Sequence, residues 1–166
     1  GTLGRGVFRT TDGGSTWTAV NAGLTDLNVE SLAVDPVHPE LVYAGTVGKG
    51  LFKSRDAGVT WSPSATGMTP TERVNAIVVH PIRPGVVFAG SHESGVYLSL
   101  DGGVSWATLN TGLRSRSIRA LAIAADGSVV YAATFGEGVF RLGTLPGTAT
   151  VPPHETAAPA SGVIRR

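Results

Sequence analysis

Apolar residues recur along this chain in short bursts and never at helical spacing. VESLAV (29–34), VNAIVV (74–79) and IRALAI (118–123) are runs rich in Val, Ile and Leu. LVYAG (41–45), VVFAG (86–90) and VVYAA (129–133) follow them. Next come GVFRT (6–10), GLFKS (50–54), GVYLS (95–99) and GVFRL (138–142), with Gly, Pro and Asp punctuating the gaps. β-Branched and aromatic residues in runs of this length, bounded by turn formers, predict strands. No window sustains the 3.6-residue apolar period of a helix.

The bursts repeat in a fixed order. One unit reads as strand A (29–34), B (41–45), C (50–54) and D (60–63). AVDPVHPE (33–40) and VVHPIRPG (78–85) join A to B, with prolines that fix φ and donate nothing to a ladder. Asp12, Asp56 and Asp101 keep the register, spaced by 44 and then 45 residues. Four short antiparallel strands at that period predict an all-β fold, a β-propeller built of four-stranded blades. Ala33, Ala44, Ala76, Ala89, Ala122 and Ala132 are expected to suit the narrow space near its axis.

The chain supplies C–D, then A–B–C–D twice, then A–B–C, which makes two whole and two partial blades. Propellers close with about 4–8 blades. This segment is therefore expected to be the C-terminal part of a ring of roughly 6–8. The remaining blades would come from missing N-terminal sequence or from other copies of the chain. Residues 1–145 form the propeller segment, and the Pro/Ala/Thr-rich stretch 146–166 reads as a linker or disordered tail. Starting at Gly1, the chain reads as a mature or truncated segment, in which a leader cannot be judged.

Between C and D stand three versions of one box: TTDGGSTW (10–17), SRDAGVTW (54–61) and SLDGGVSW (99–106). Asp12, Asp56 and Asp101 suit an Asx-type turn, accepting backbone N–H bonds. Gly14, Gly58 and Gly103 permit positive φ. Thr10, Ser54 and Ser99, with Thr16, Thr60 and Ser105, bring hydroxyls to close the turn. Trp17, Trp61 and Trp106 begin strand D and are expected to bury a large area. A metal needs several convergent oxygens, whereas each box offers one carboxylate, so the boxes read as structural and no metal or cofactor is expected.

These boxes, with the AVDPxxPxxVYAGT and GVFRS-like steps around them, resemble the Asp-box (BNR) repeat proteins. That box recurs in sialidases, xyloglucanases, sortilin-type receptors and photosystem II assembly factors. The resemblance covers roughly residues 1–142 and implies a fold more than an activity.

Composition narrows the function. With 13 basic and 12 acidic side chains, the net charge is +1, which removes the usual electrostatic case for nucleic acid or an anionic membrane. No apolar run approaches the roughly 20 residues of a membrane span. The absence of cysteine excludes disulfides, thiolate metal sites and a cysteine nucleophile.

In a propeller the A–B and C–D turns share one rim, and the B–C and D–A loops share the other. The boxes occupy the first rim, so the second is left for binding. Its B–C loops carry Arg5, Lys49, Ser94 and Glu137 at one equivalent position, with His92 and Glu93 beside Ser94. The D–A loops add Asn21, Thr25, Asp26, Glu72, Arg73, Arg114 and Arg116. Side chains that differ among otherwise equal blades mark an asymmetric binding face, and Arg5, Lys49, His92, Glu93 and Glu137 are the central candidates. GTVGKG lacks phosphate-loop spacing and leads into a strand, and GSHESG is no nucleophile elbow.

The expected function is a non-catalytic binding or scaffold module for a protein or glycan, secreted, periplasmic or at the cell surface. The resemblance also admits a glycoside hydrolase, whose chemistry needs two facing carboxylates; Asp26, Glu72, Glu93 and Glu137 are the rim acids available. A third reading is an assembly factor for a membrane complex.

Overall fold

The computed structural model describes residues 1–142; the expected linker or tail, 146–166, lies outside them. Blade 1 holds β1 (Phe8–Arg9) and β2 (Thr18–Ala19). Blade 2 runs β3 (Val29–Val34), β4 (Val42–Thr46), β5 (Leu51–Ser54) and β6 (Ser62–Pro63). Blade 3 repeats this as β7 (Val74–Val79), β8 (Val87–Ser91), β9 (Val96–Ser99) and β10 (Ala107–Thr108). Blade 4 holds β11 (Ile118–Ile123), β12 (Val130–Thr134) and β13 (Gly138–Leu142). Each sheet is an antiparallel meander in chain order. A bridge between Thr2 and Gly6 adds the end of a B strand to blade 1; Thr46 and Gly50 pair in the same way in blade 2.

The blades pack face to face through three apolar clusters. Val7 of blade 1 meets Val29, Ala44, Phe52 and Trp61 of blade 2. Tyr43 and Leu51 of blade 2 meet Val74, Val87, Ala89, Tyr97 and Trp106 of blade 3. Phe88, Val96 and Leu98 of blade 3 meet Ile118, Val130, Ala132 and Leu142 of blade 4. Ala44, Ala89 and Ala132 thus fill the seams between blades. The innermost strands β3, β7 and β11 lie side by side, as A strands must around an axis.

In all three boxes the Asp carboxylate accepts the backbone N–H and the hydroxyl of the residue four positions on: Thr16, Thr60 or Ser105. The Thr10, Ser54 and Ser99 hydroxyls donate back to the Asp and accept from the N–H of Gly14, Gly58 and Gly103. The turn also reaches across blades. The Trp61 indole donates to the Val20 carbonyl and the Trp106 indole to the Ser64 carbonyl, each in the preceding blade. Trp17 departs from expectation: it is 61% exposed. A box tryptophan buries itself against the blade before its own, and no described residue occupies that side of Trp17.

The A–B turns use a different cap in each whole blade. Asp35 Oδ1 accepts the N–H groups of Val37 and His38, and at the same position His80 Nδ1 accepts those of Ile82 and Arg83. Burial, and then the Arg83 charge, hold the imidazole below its ordinary value. A depressed pKa means that the unfolded chain binds the proton first, so stability falls as pH drops below about 6.5. The box carboxylates are depressed mainly by the Thr16, Thr60 and Ser105 hydroxyls, with Asp56 and Asp101 at about 2. They add a second loss as pH falls from about 4. Thermal melts from pH 7 downward should show both phases, and His80→Asp should remove the upper one. An unchanged upper phase would refute the His80 assignment.

Candidate functional site at the B–C and D–A rim

Backbone hydrogen bonds fix which loops share a rim. The box amides of Ala57 and Gly102 donate to the A–B carbonyls of Glu40 and Gly85. On the other side, Val47, His92 and Phe135 of the B–C loops donate to Asn28, Arg73 and Ser117 of the D–A segments.

At this second rim each A strand begins with a β-bulge. Register shifts fall between Val29 and Ser31, Val74 and Ala76, and Ile118 and Ala120. The skipped residues are Glu30, Asn75 and Arg119, one polar side chain per blade. A bulge re-aims its side chain, and here two of the three act toward the next blade. The Glu30 carboxylate accepts both Arg73 Nε, at 2.7 Å, and Arg73 Nη2. That bidentate pair, with the charges of His92 and Arg119 behind it, holds Glu30 below the usual carboxylate range and raises Arg73. Asn75 Nδ2 donates to the Ile118 carbonyl at 2.7 Å. Arg119 lies 4.9 Å from the ring centroid of Phe135, which is itself exposed. An arginine over an exposed aromatic face makes a flat surface with a charged edge.

The candidates from sequence divide. Arg5, Lys49, Glu93 and Glu137 are exposed on the B–C loops. His92 is half-buried beside the Glu30–Arg73 pair, and its Nδ1 is buried without a hydrogen-bond partner among the described residues. Ser94, equivalent to Lys49, turns inward and donates to Glu72 Oε2 at 2.6 Å. Glu72, expected as a rim acid, is instead buried, and its Oε2 also accepts from the Tyr97 hydroxyl at 2.9 Å. Asp26 is occupied too, accepting the amides of Asn28 and Gly48, which outweigh its desolvation and lower its pKa. Asn21 and Asn110 tie their own loops together, each accepting from a C-strand amide and donating to a B–C carbonyl. Glu30, Asn75, Arg119 and Phe135 escaped the sequence reading. The signal available was a single polar letter in second place in VESLAV, VNAIVV and IRALAI.

Among the described residues, no three His, Asp or Glu side chains converge as metal ligands, and no helix is long and apolar enough to cross a membrane. A groove of about 360 Å³ lies at the other rim, between the outer strand of blade 2 and the box of blade 3. Lys53 and Arg55 line it, but Lys53 Nζ is already committed to the Gly102 carbonyl at 2.6 Å.

Comparison with known proteins decides the family. Residues 5–135 match the Sortilin-Vps10 model, described as sortilin, neurotensin receptor 3. The chain belongs to the Sortilin-Vps10 family. No curated protein matches it. Among solved structures, an ancestral GH74 enzyme superposes on this Sortilin-Vps10 chain with a TM-score of 0.71 at 21% identity, covering 83% of this chain and 20% of its own. PorZ, an essential bacterial surface component of the type-IX secretion system of Porphyromonas gingivalis, gives 0.59 at 21% identity, over 73% of this chain and 18% of its own. YCF48 bound to D1 peptide gives 0.54 at 19% identity, over 69% and 37%. These likenesses show the propeller fold. The Sortilin-Vps10 chain spans a fifth of the GH74 enzyme's length.

Proposed function

We propose that this chain is a non-catalytic recognition module that binds a polypeptide partner through the B–C/D–A rim, outside the cytoplasm. The observation that carries the reading is the bulge row: Glu30 clamped to Arg73, with Arg119 laid over the exposed Phe135. Fixed charges beside an exposed aromatic ring are the ingredients of a polypeptide hot spot. Arg5, Lys49, Glu93 and Glu137, exposed on the B–C loops, would add charges of both signs to the same rim, with His92 beside the Glu30–Arg73 pair. The peptide-bound YCF48 structure and the surface location of PorZ lend support to partner and place. A hydrolase is less well supported, because Asp26 and Glu72 are both tied into structural bonds.

A displayed peptide library supplies the probe. Peptides selected on the chain should lose at least about tenfold in affinity on Lys49→Glu or Arg119→Glu, a loss of the order hot-spot truncations show. They should keep their affinity on Val104→Glu, an exposed change in the box of blade 3. Loss on Val104→Glu alone, or hydrolysis of xyloglucan abolished by Glu93→Gln, would overturn the proposal.

A further inference from the structure

The groove at the box rim lies between blades 2 and 3, the two whole ones, and its chemistry is peculiar to that seam. Lys53, Arg55, Ser62, Ser64 and Thr66 line it. At the spacing of the boxes, Lys53 answers to Arg9 in blade 1 and Leu98 in blade 3, and Arg55 to Thr11 and Leu100. Ser64 answers to Val20 and Leu109, and Thr66 to Ala22 and Thr111. Only blade 2 is polar at every one of these places, so the folding of a blade does not require the set. Lys53 and Ser64 are also buried, at 8% and 6% exposure.

The two cations have donors to spare. An ammonium carries three protons, and the Gly102 carbonyl takes one from Lys53. Arg55 is exposed and makes no side-chain hydrogen bond among the described residues. No acid lines the groove, and neither cation pairs with a carboxylate among the described residues. Asp35 and Asp101 act on Lys53 from a distance and are engaged in their own turns. Burial, and then the Arg55 charge, hold the Lys53 pKa below its ordinary value, a penalty that an anion between the two would offset. An arginine fork beside a lysine suits phosphate. A phosphate monoester carries about −1.5 to −2 at pH 7, matching two cations where a carboxylate would match one. The groove, about 360 Å³, falls in the ~300–1,000 Å³ range of ligand pockets and is roomier than a bare ion needs. The Ser62 and Thr66 hydroxyls are exposed and have no partner among the described residues, which leaves them open to a hydroxylated carrier. We propose that this groove binds a sugar phosphate, with Lys53 and Arg55 on the phosphate and Ser62 and Thr66 on the sugar hydroxyls.

Calorimetric titration of the chain with glucose 6-phosphate tests this, beside glucose, inorganic phosphate and malonate. Glucose 6-phosphate is expected to bind more tightly than the other three. Arg55→Leu, which installs the residue of blade 3, should weaken it at least about tenfold, the order of a lost charge-assisted bond. Arg55 is exposed, so the variant should keep the cooperative melt of the parent. Thr66→Ala, the residue of blade 1, should weaken the sugar phosphate several-fold and leave inorganic phosphate unchanged. Val104→Glu, which adds an acid to the groove, should weaken glucose 6-phosphate while sparing the selected peptides, and Lys49→Glu should do the reverse. The Gly102 and Gly103 amide resonances should shift on titration, with those of 47–49 and 92–94 unmoved. Absence of glucose 6-phosphate binding, equal affinity for inorganic phosphate or malonate, or binding indifferent to Arg55→Leu would overturn the proposal.

Discussion

Trp61→Ala is expected to destabilise the chain by about 3–5 kcal/mol, and Trp17→Ala by less than about 1 kcal/mol. The two tryptophans close the same box and differ only in what lies behind them. Trp61 is 4% exposed, packs with Val7, Val29 and Phe52, and donates its indole N–H to Val20. Removing it leaves a cavity in the blade 1–blade 2 seam and an orphaned carbonyl. Trp17 has neither neighbour. Denaturant unfolding in dilute solution measures both variants, and equal costs would show that the box tryptophan serves its own turn instead of joining blades.

Gly67→Ala should cost more than about 3 kcal/mol, against about 1–2 kcal/mol for Gly112→Ala. Both glycines occupy the same place in the D–A loop, with φ of +91° and +83°. Any side chain there bears left-handed strain. At Gly67 an added methyl would also overlap the Trp106 carbonyl oxygen and its backbone, while at Gly112 none of the described residues lies within 4 Å. Accommodating that methyl therefore means moving Trp106 out of its seam, so the cost compounds. Matching destabilisation of the two variants would contradict this packing.

The blade register was legible because one signal, the Asp–Gly–Trp box, recurs with the strands around it. What could not be read depends on neighbours. Trp17 has the same sequence surroundings as Trp61, and only the adjoining blade separates buried from exposed. Glu72 reads as a rim acid until Ser94 and Tyr97 are seen to enclose it; their counterparts in blade 2, Lys49 and Phe52, would not. The bulge row was hidden for a subtler reason. Period-two alternation assigns Glu30, Asn75 and Arg119 a face, but a bulge is a property of the pairing with strand B and leaves no local mark.

The central claim is that a partner binds at the B–C/D–A rim and leaves the rim of the boxes free. Hydrogen exchange of the chain, with and without a library-selected peptide, tests it most directly. Protection is predicted at 47–49, 72–73, 92–94 and 135–137, with the boxes at 10–17, 54–61 and 99–106 unchanged. Protection centred on the boxes, with the B–C loops untouched, would contradict the account.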